Sequence, residues 1–181
     1  LSGFYAGIGS RNTPEEILEL MFQIAYLLGE KQWTLRSGCA PGADTAFEAG
    51  MMASEFATAE LFLPWKGFEG RDYDDYRTGV ELLEEPEQWT FPIAERHHPA
   101  WGSLSFGGRK LQARNVHQIL GPTPVKSHET SSFVICWTEG GRGGGGTGQA
   151  IRVANAYTVP VFDLARTEDR DRITRNLGVT T

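Results

Sequence analysis

Short apolar runs alternate with amphipathic stretches along most of this chain, and that alternation limits the folds open to it. Phe4–Ile8 reads as a first strand, broken at once by Gly9-Ser10-Arg11-Asn12. Thr13 then stands before Pro14, Glu15 and Glu16: a cap, a first-turn proline and acids placed against the helix dipole. Ile17, Leu20, Met21, Ile24 and Leu28 follow at helical spacing and predict a helix to about Lys31. Trp33–Ser37 is a second strand, about 43–56 a second helix, and Glu60–Leu63 a third strand ending at Pro64. Gly108 to Leu120 reads as a helix with Val116, Ile119 and Leu120 inward and Lys110, Arg114 and Gln118 along another stripe. Ser132–Trp137 is the strongest buried strand. A helix over about 147–157, a strand at Val159–Phe162 and a polar surface helix at Thr167–Leu177 complete the pattern. Strands and helices in such alternation predict an α/β, Rossmann-like, doubly wound and mostly parallel sheet with helices on both faces.

The segment 66–106 breaks the rhythm. It holds Pro86, Pro92 and Pro99 and loses clear periodicity, so we expect an irregular insertion in a single domain spanning 1–181. It also concentrates acid: Glu69, Asp72, Asp74, Asp75, Glu81, Glu84, Glu85 and Glu87 stand within it. The net charge of −6 therefore leaves the rest of the chain near neutral and disfavours nucleic acid as its main partner. No apolar run is long enough to cross a membrane and no leader-like segment stands at the start, so a cytoplasmic protein is expected. The chain begins at Leu1 and not Met, from which we expect a few preceding residues. Two cysteines fit a reducing compartment, and His97, His98, His117 and His128 lack metal-ligand spacing with them. Neither a metal nor a resident cofactor is expected.

In a parallel sheet ligands sit beyond the carboxyl ends of the strands, so the loops there matter most. The first, Gly9-Ser10-Arg11-Asn12, offers close backbone, a hydroxyl and a cation beside a helix N-terminus. Its plainer reading is a tight turn with a surface arginine. If Arg11 grips an anion, Arg11→Ala should weaken binding by roughly 1–3 kcal/mol. The second loop, Ser37-Gly38-Cys39-Ala40-Pro41-Gly42-Ala43-Asp44, could cradle an anion on backbone N–H groups. Asp44 could cap the helix, hold a ribose hydroxyl or position water; Cys39 reads as a packing residue. Asp44 and Glu48 are the candidate catalytic carboxylates. The third loop follows the strongest strand and carries seven glycines between Gly140 and Gly148. A mobile linker is one explanation; an anion-binding turn entering a helix at Gly145, Gly146, Thr147, Gly148 and Gln149 is the other. The P-loop ending is absent. Arg114 and Asn115 on their helix are a fourth candidate, against the alternative of a solvated face. Trp65, Trp101 or Trp137 could stack on a base or belong to the core.

Taken in order, these segments resemble the SLOG superfamily of Rossmann-like domains, which includes DprA (Smf), the cytokinin-activating LOG enzymes and small YspA-like proteins. Tyr5-Ala6-Gly7-Ile8-Gly9-Ser10-Arg11 is similar to the family's first strand and Gly-Ser-Arg turn. Residues Ser37 to Asp44 resemble the Ser-Gly-x-Ala-x-Gly-x-Asp loop of the DprA branch. Arg114-Asn115 looks like the family's Arg-Asn helix start, and Gly145-Gly146-Thr147-Gly148-Gln149-Ala150 like its last Gly-x-Gly-Thr turn. The resemblance covers about 4–65 and 108–163. It implies a site for a nucleotide or phosphoribosyl group built from the turns after strands one, two and four, and commonly a homo-oligomer.

LOG enzymes cleave the N-glycosidic bond of nucleoside monophosphates and carry a glutamate three residues after the motif's threonine. Ala150 holds that position here. DprA binds single-stranded DNA, and other family members sense ADP-ribose-type signals. The expectation is a protein that binds a nucleotide-derived small molecule, with ribose-bond hydrolysis and single-stranded DNA binding as the alternatives.

Overall fold

The four inner strands of this chain are nearly continuous in burial, as a parallel sheet covered on both faces requires. The computed structural model describes residues 3–72, 79–124 and 129–179. Asp74, Asp75 and His128, counted above, lie outside them. Six strands, β1 (Phe4–Gly7), β2 (Thr34–Ser37), β3 (Ala59–Phe62), β4 (Val80–Leu83), β5 (Phe133–Cys136) and β6 (Val161–Asp163), form one all-parallel sheet in the order β4-β3-β2-β1-β5-β6. The helices are α1 (Glu15–Glu30), α2 (Ala43–Ala53), α3 (Thr90–Arg96), α4 (Phe106–Leu120), α5 (Gly145–Ala156) and α6 (Thr167–Leu177). The doubly wound α/β reading holds.

Each sheet face has its own core. Ile17, Met21, Ile24 and Leu28 of α1 join Phe47 and Met51 of α2, Tyr5, Leu35 and Leu61 of the strands, and Ile173 of α6. On the opposite face Ala94 of α3, Val116, Ile119 and Leu120 of α4, and Val153 and Ala154 of α5 pack on Ala6 and Val134. The chain winds outward from β1 to β4, then returns to place β5 on the other side of β1. The loops after β1 and β5 leave toward opposite faces, which opens a crevice between them.

Three expectations change. The segment 66–106 is not irregular throughout: it supplies edge strand β4 and helix α3. Val80-Glu81-Leu82-Leu83 escaped notice because acids surround a short, half-exposed edge strand, a charge pattern that protects such edges. Strict alternation also fails there, since the described part of the β3–β4 connection holds a single 3-10 turn at Phe68–Gly70. Thr13 does not cap α1; its hydroxyl donates to Ser10 O at 2.7 Å, and the helix begins after Pro14.

Beneath β3 the fold buries a neutral histidine. His117 Nδ1 donates to Gly121 O at 2.8 Å, so Nε2 accepts the Glu87 N–H at 3.0 Å. The ring stacks on Phe62, and burial holds its pKa down to about 4, against an ordinary 6.5. The unfolded chain therefore binds this proton more readily than the native fold. The melting temperature should fall as the pH drops from 6.5 toward about 4, and His117→Gln should flatten that part of the profile.

Candidate functional site

A cavity of about 630 Å³ opens at the crevice between β1 and β5, at the carboxyl end of the sheet where the strand order reverses. Its walls come from the turns after β1, β2 and β5, from one face of α4 and from the start of α5.

Of the residues proposed from sequence, Gly9, Ser10, Arg11, Asp44, Arg114, Asn115, Gly145, Gly146 and Thr147 line the cavity. The others stand behind it. Asn12 donates its N–H to Ser10 Oγ at 3.1 Å, closing the first turn. Gly42, with φ of +90°, lies so near this turn that a Cβ there would meet Ser10 O at 2.9 Å; glycine joins the two loops. Ser37 donates to Glu48 Oε1 at 2.8 Å, while Arg71 holds Glu48 Oε2 at 2.8 Å. Glu48 is thus engaged beneath the site and does not line it. Cys39 is fully buried, and burial pushes its thiol well above the ordinary range, as suits a packing residue. Gly38 offers its carbonyl to Arg114, and Gln149 accepts from Asn115 Nδ2 at 3.2 Å. Gly148 packs against the Gly143 carbonyl.

Arg114 is not at a helix start. It lies in the middle of α4, buried, over the Phe68 ring at 5.9 Å. Its Nη1 donates to Gly38 O and its Nε to Asn115 Oδ1 at 3.1 Å. Nη2 takes no hydrogen-bond partner among the described residues. Asn115 in turn donates to Gly146 O at 3.3 Å, so α4 fixes the first turn of α5. Asp44 does not cap α2 from outside. It sits inside the helix, and its Oδ2 accepts the N–H groups of Gly38 at 3.2 Å and Ala40 at 3.4 Å. Burial raises its pKa to about 6, with Arg114 opposing and Glu48 adding to the rise. The native fold therefore holds this proton tightly, a stabilising contribution lost as the pH rises through about 6.

The glycine turn enters its helix earlier than its composition suggests. Gly145 and Gly146 are the first residues of α5, no side chain caps it, and Gly145, Gly146 and Thr147 line the cavity. N–H groups at the start of a helix lack intrahelical partners and favour an anion. Three arginines, Arg11, Arg114 and Arg142, line the same space, against two acids, Asp44 and Glu139. Arg11 is exposed to water, its side chain 60 % accessible, and lies 3.6 Å from Glu69. Screening by water lowers the expectation for it: Arg11→Ala should reduce affinity for an anionic ligand by less than about fivefold, read by calorimetry.

Arg142, Glu139, Thr138, Ala40, Gln112 and Gln118 line the cavity without having been singled out. Arg142 could have been found as the charged residue inside the glycine run. Gln112 and Gln118 flank Asn115 at three-residue spacing on α4. None of the tryptophans proposed for base stacking lines the cavity: Trp65 packs on Phe68, Trp101 on His98, and Trp137 against the α1–α2 core. Ala150, in place of the LOG glutamate, is buried in the wall.

No family model matches this chain, and no curated protein matches it. Solved structures share its fold. DNA processing protein A from Helicobacter pylori, described for its single-stranded DNA binding mode, superposes with a TM-score of 0.58 at 17% identity, over 96% of this chain and 72% of that one. The Moco carrier protein of Chlamydomonas rheinhardtii gives 0.52 at 14% identity, over 97% and 84%. DNA processing protein A from Streptococcus pneumoniae gives 0.50 at 11% identity over 97% of this chain, which spans 56% of that protein. The Rossmann-like fold is therefore that of DprA.

Proposed function

We propose that this protein binds a nucleotide-derived small molecule, a nucleoside phosphate or an ADP-ribose-like compound, in the cavity between β1 and β5. The observation that carries the reading is the start of α5. Gly144 and Gly146 have no positive φ, and a Cβ would meet nothing within 4 Å at Gly144 and Gln112 Nε2 at 3.8 Å at Gly146. Neither chain geometry nor packing demands glycine at these two positions. A ligand phosphate pressed against the helix N-terminus does, with Arg114 and Arg142 beside it. The cavity volume lies in the range of small-molecule sites and exceeds what an isolated phosphate fills. Calorimetry with AMP and ADP-ribose tests the reading; absence of heat with both at millimolar concentration would refute it.

Two other activities share the same loops. Hydrolysis of the ribose bond is favoured by Asp44, a cavity-lining carboxyl with its pKa raised to about 6. Release of free base from AMP, lost in Asp44→Asn, would establish it. Single-stranded DNA is favoured by the likeness to the Helicobacter pylori protein. A steeply salt-dependent shift of an oligonucleotide would move the assignment to that partner. No described helix is long and apolar enough to cross a membrane. Self-association is expected on the resemblance alone, and sedimentation reads it directly.

A further inference from the structure

Among the described residues, one buried amide donor of the cavity wall lacks a hydrogen-bond partner. Gln118 is 1 % exposed, lines the cavity, and its Nε2 finds no acceptor among the described residues. A buried amide N–H left unpaired costs more than an ordinary hydrogen bond gains, so a partner is expected for it. Its placement limits what that partner can be. Gln112 marks the anion end, because its Nε2 stands 3.8 Å from where a Gly146 Cβ would be. Gln118 lies six residues further along α4, about 9 Å at 1.5 Å per residue, and one turn beyond Arg114. Asn115, midway between the two glutamines, donates to Gly146 O at 3.3 Å, so Gln118 stands beyond the contact of α4 with the start of α5. Apolar wall surrounds the space in part, from Ile8, Leu111 and Ala150. An uncharged donor against apolar wall suits a neutral acceptor.

We infer that Gln118 is a specificity-determining residue whose side-chain amide donates to a neutral acceptor, a hydroxyl, carbonyl or ring nitrogen, on the part of the ligand distal to its anionic group. The site then prefers a phosphate ester of a sugar or nucleoside to inorganic phosphate. This inference rests on the anion-binding reading above and adds the chemistry of the ligand's other end. Gln112, whose Oε1 also lacks a partner among the described residues, would offer an acceptor nearer the phosphate.

The test uses the full chain, with AMP and inorganic phosphate as probes and Gln118→Met as a variant of similar length without a donor. Wild type should bind AMP more tightly than phosphate. Gln118→Met should lose about tenfold in AMP affinity, the effect of one buried hydrogen bond, and keep its phosphate affinity. With no ligand present it should melt higher than wild type, because an unpaired amide has been replaced by an apolar chain. Gln118→Glu, which puts an acceptor in place of the donor, should lose more AMP affinity than Gln118→Met. A lower melting temperature for Gln118→Met, or its failure to fold, would show that the amide is already paired and overturn the inference. So would an unchanged AMP preference in the variant, or equal binding of both probes by wild type, and either result leaves the anion site standing. If wild type binds neither probe, the anion-binding reading itself falls and takes this inference with it.

Discussion

Arg114→Met should lower the affinity for AMP by roughly 30- to 150-fold, the loss of about 2–3 kcal/mol expected when a desolvated charge-assisted contact is removed. The contrast with Arg11 comes from position. Both side chains line the cavity and repel each other: burial is the main cause of Arg114's lowered basicity, and Arg11 adds to it. Arg11 sits in water with Glu69 at hand, whereas Arg114 is 6 % exposed and braced by Gly38 O, Asn115 and the Phe68 ring. A braced guanidinium loses little conformational freedom on binding, and its field is screened less by solvent. The substitution also withdraws the cation beside Asp44, whose carboxyl, already raised to about 6, should rise further, and above that range its anion is left without its cation. That response separates two explanations for weak binding. If Arg114 contacts the ligand, the double variant Arg114→Met/Asp44→Asn stays as weak as the single one. If the loss came from an uncompensated Asp44 charge, the double variant recovers affinity. An Arg114→Met protein that melts normally and binds AMP within threefold of wild type would remove Arg114 from the site.

The residues legible in the sequence were those whose chemistry stood beside a strong strand. Phe4–Ile8 with its Gly-Ser-Arg turn and the Val134-Ile135-Cys136 strand with its glycine run bracket the cavity, because their two strands are neighbours in the sheet. Arg114 stood out as an arginine with a family resemblance, but its burial could not be read, since a 15-residue helix shows its stripes without saying which faces a cavity. Glu48 looked equivalent to Asp44, one turn earlier on the same helix; the structure separates them, giving Glu48 to Ser37 and Arg71. β4 was hidden by its acids, and the first turn of α5 by glycine's low helix propensity. Gln112 and Gln118 carry no charge and belong to no motif. Their relevance comes from unpaired atoms in a wall, which spacing alone cannot reveal.

Two glycines of α5 should respond to alanine in opposite ways. At Gly148 a Cβ would lie 2.0 Å from the Gly143 carbonyl oxygen, a backbone atom. Relief requires moving the turn itself, so Gly148→Ala should destabilise the protein by about 2–3 kcal/mol, the cost of overpacking against a rigid neighbour. Its melting temperature should drop by several degrees, with ligand binding lost because the cradle is displaced. Gly146 stands two residues earlier on the same helix, where a Cβ meets nothing nearer than Gln112 Nε2 at 3.8 Å. Alanine there removes backbone entropy from the unfolded chain and fits the helix, so Gly146→Ala should melt at or slightly above wild type, a gain of up to about 1 kcal/mol. The added methyl nevertheless occupies the space in front of the first N–H groups of α5. Affinity for AMP should then fall by roughly 30-fold or more, since the phosphate is held off the helix end and from Arg114 together. A glycine kept for folding would give the Gly148 pattern at both positions. Normal AMP binding by a stable Gly146→Ala protein would mean that the start of α5 holds no phosphate.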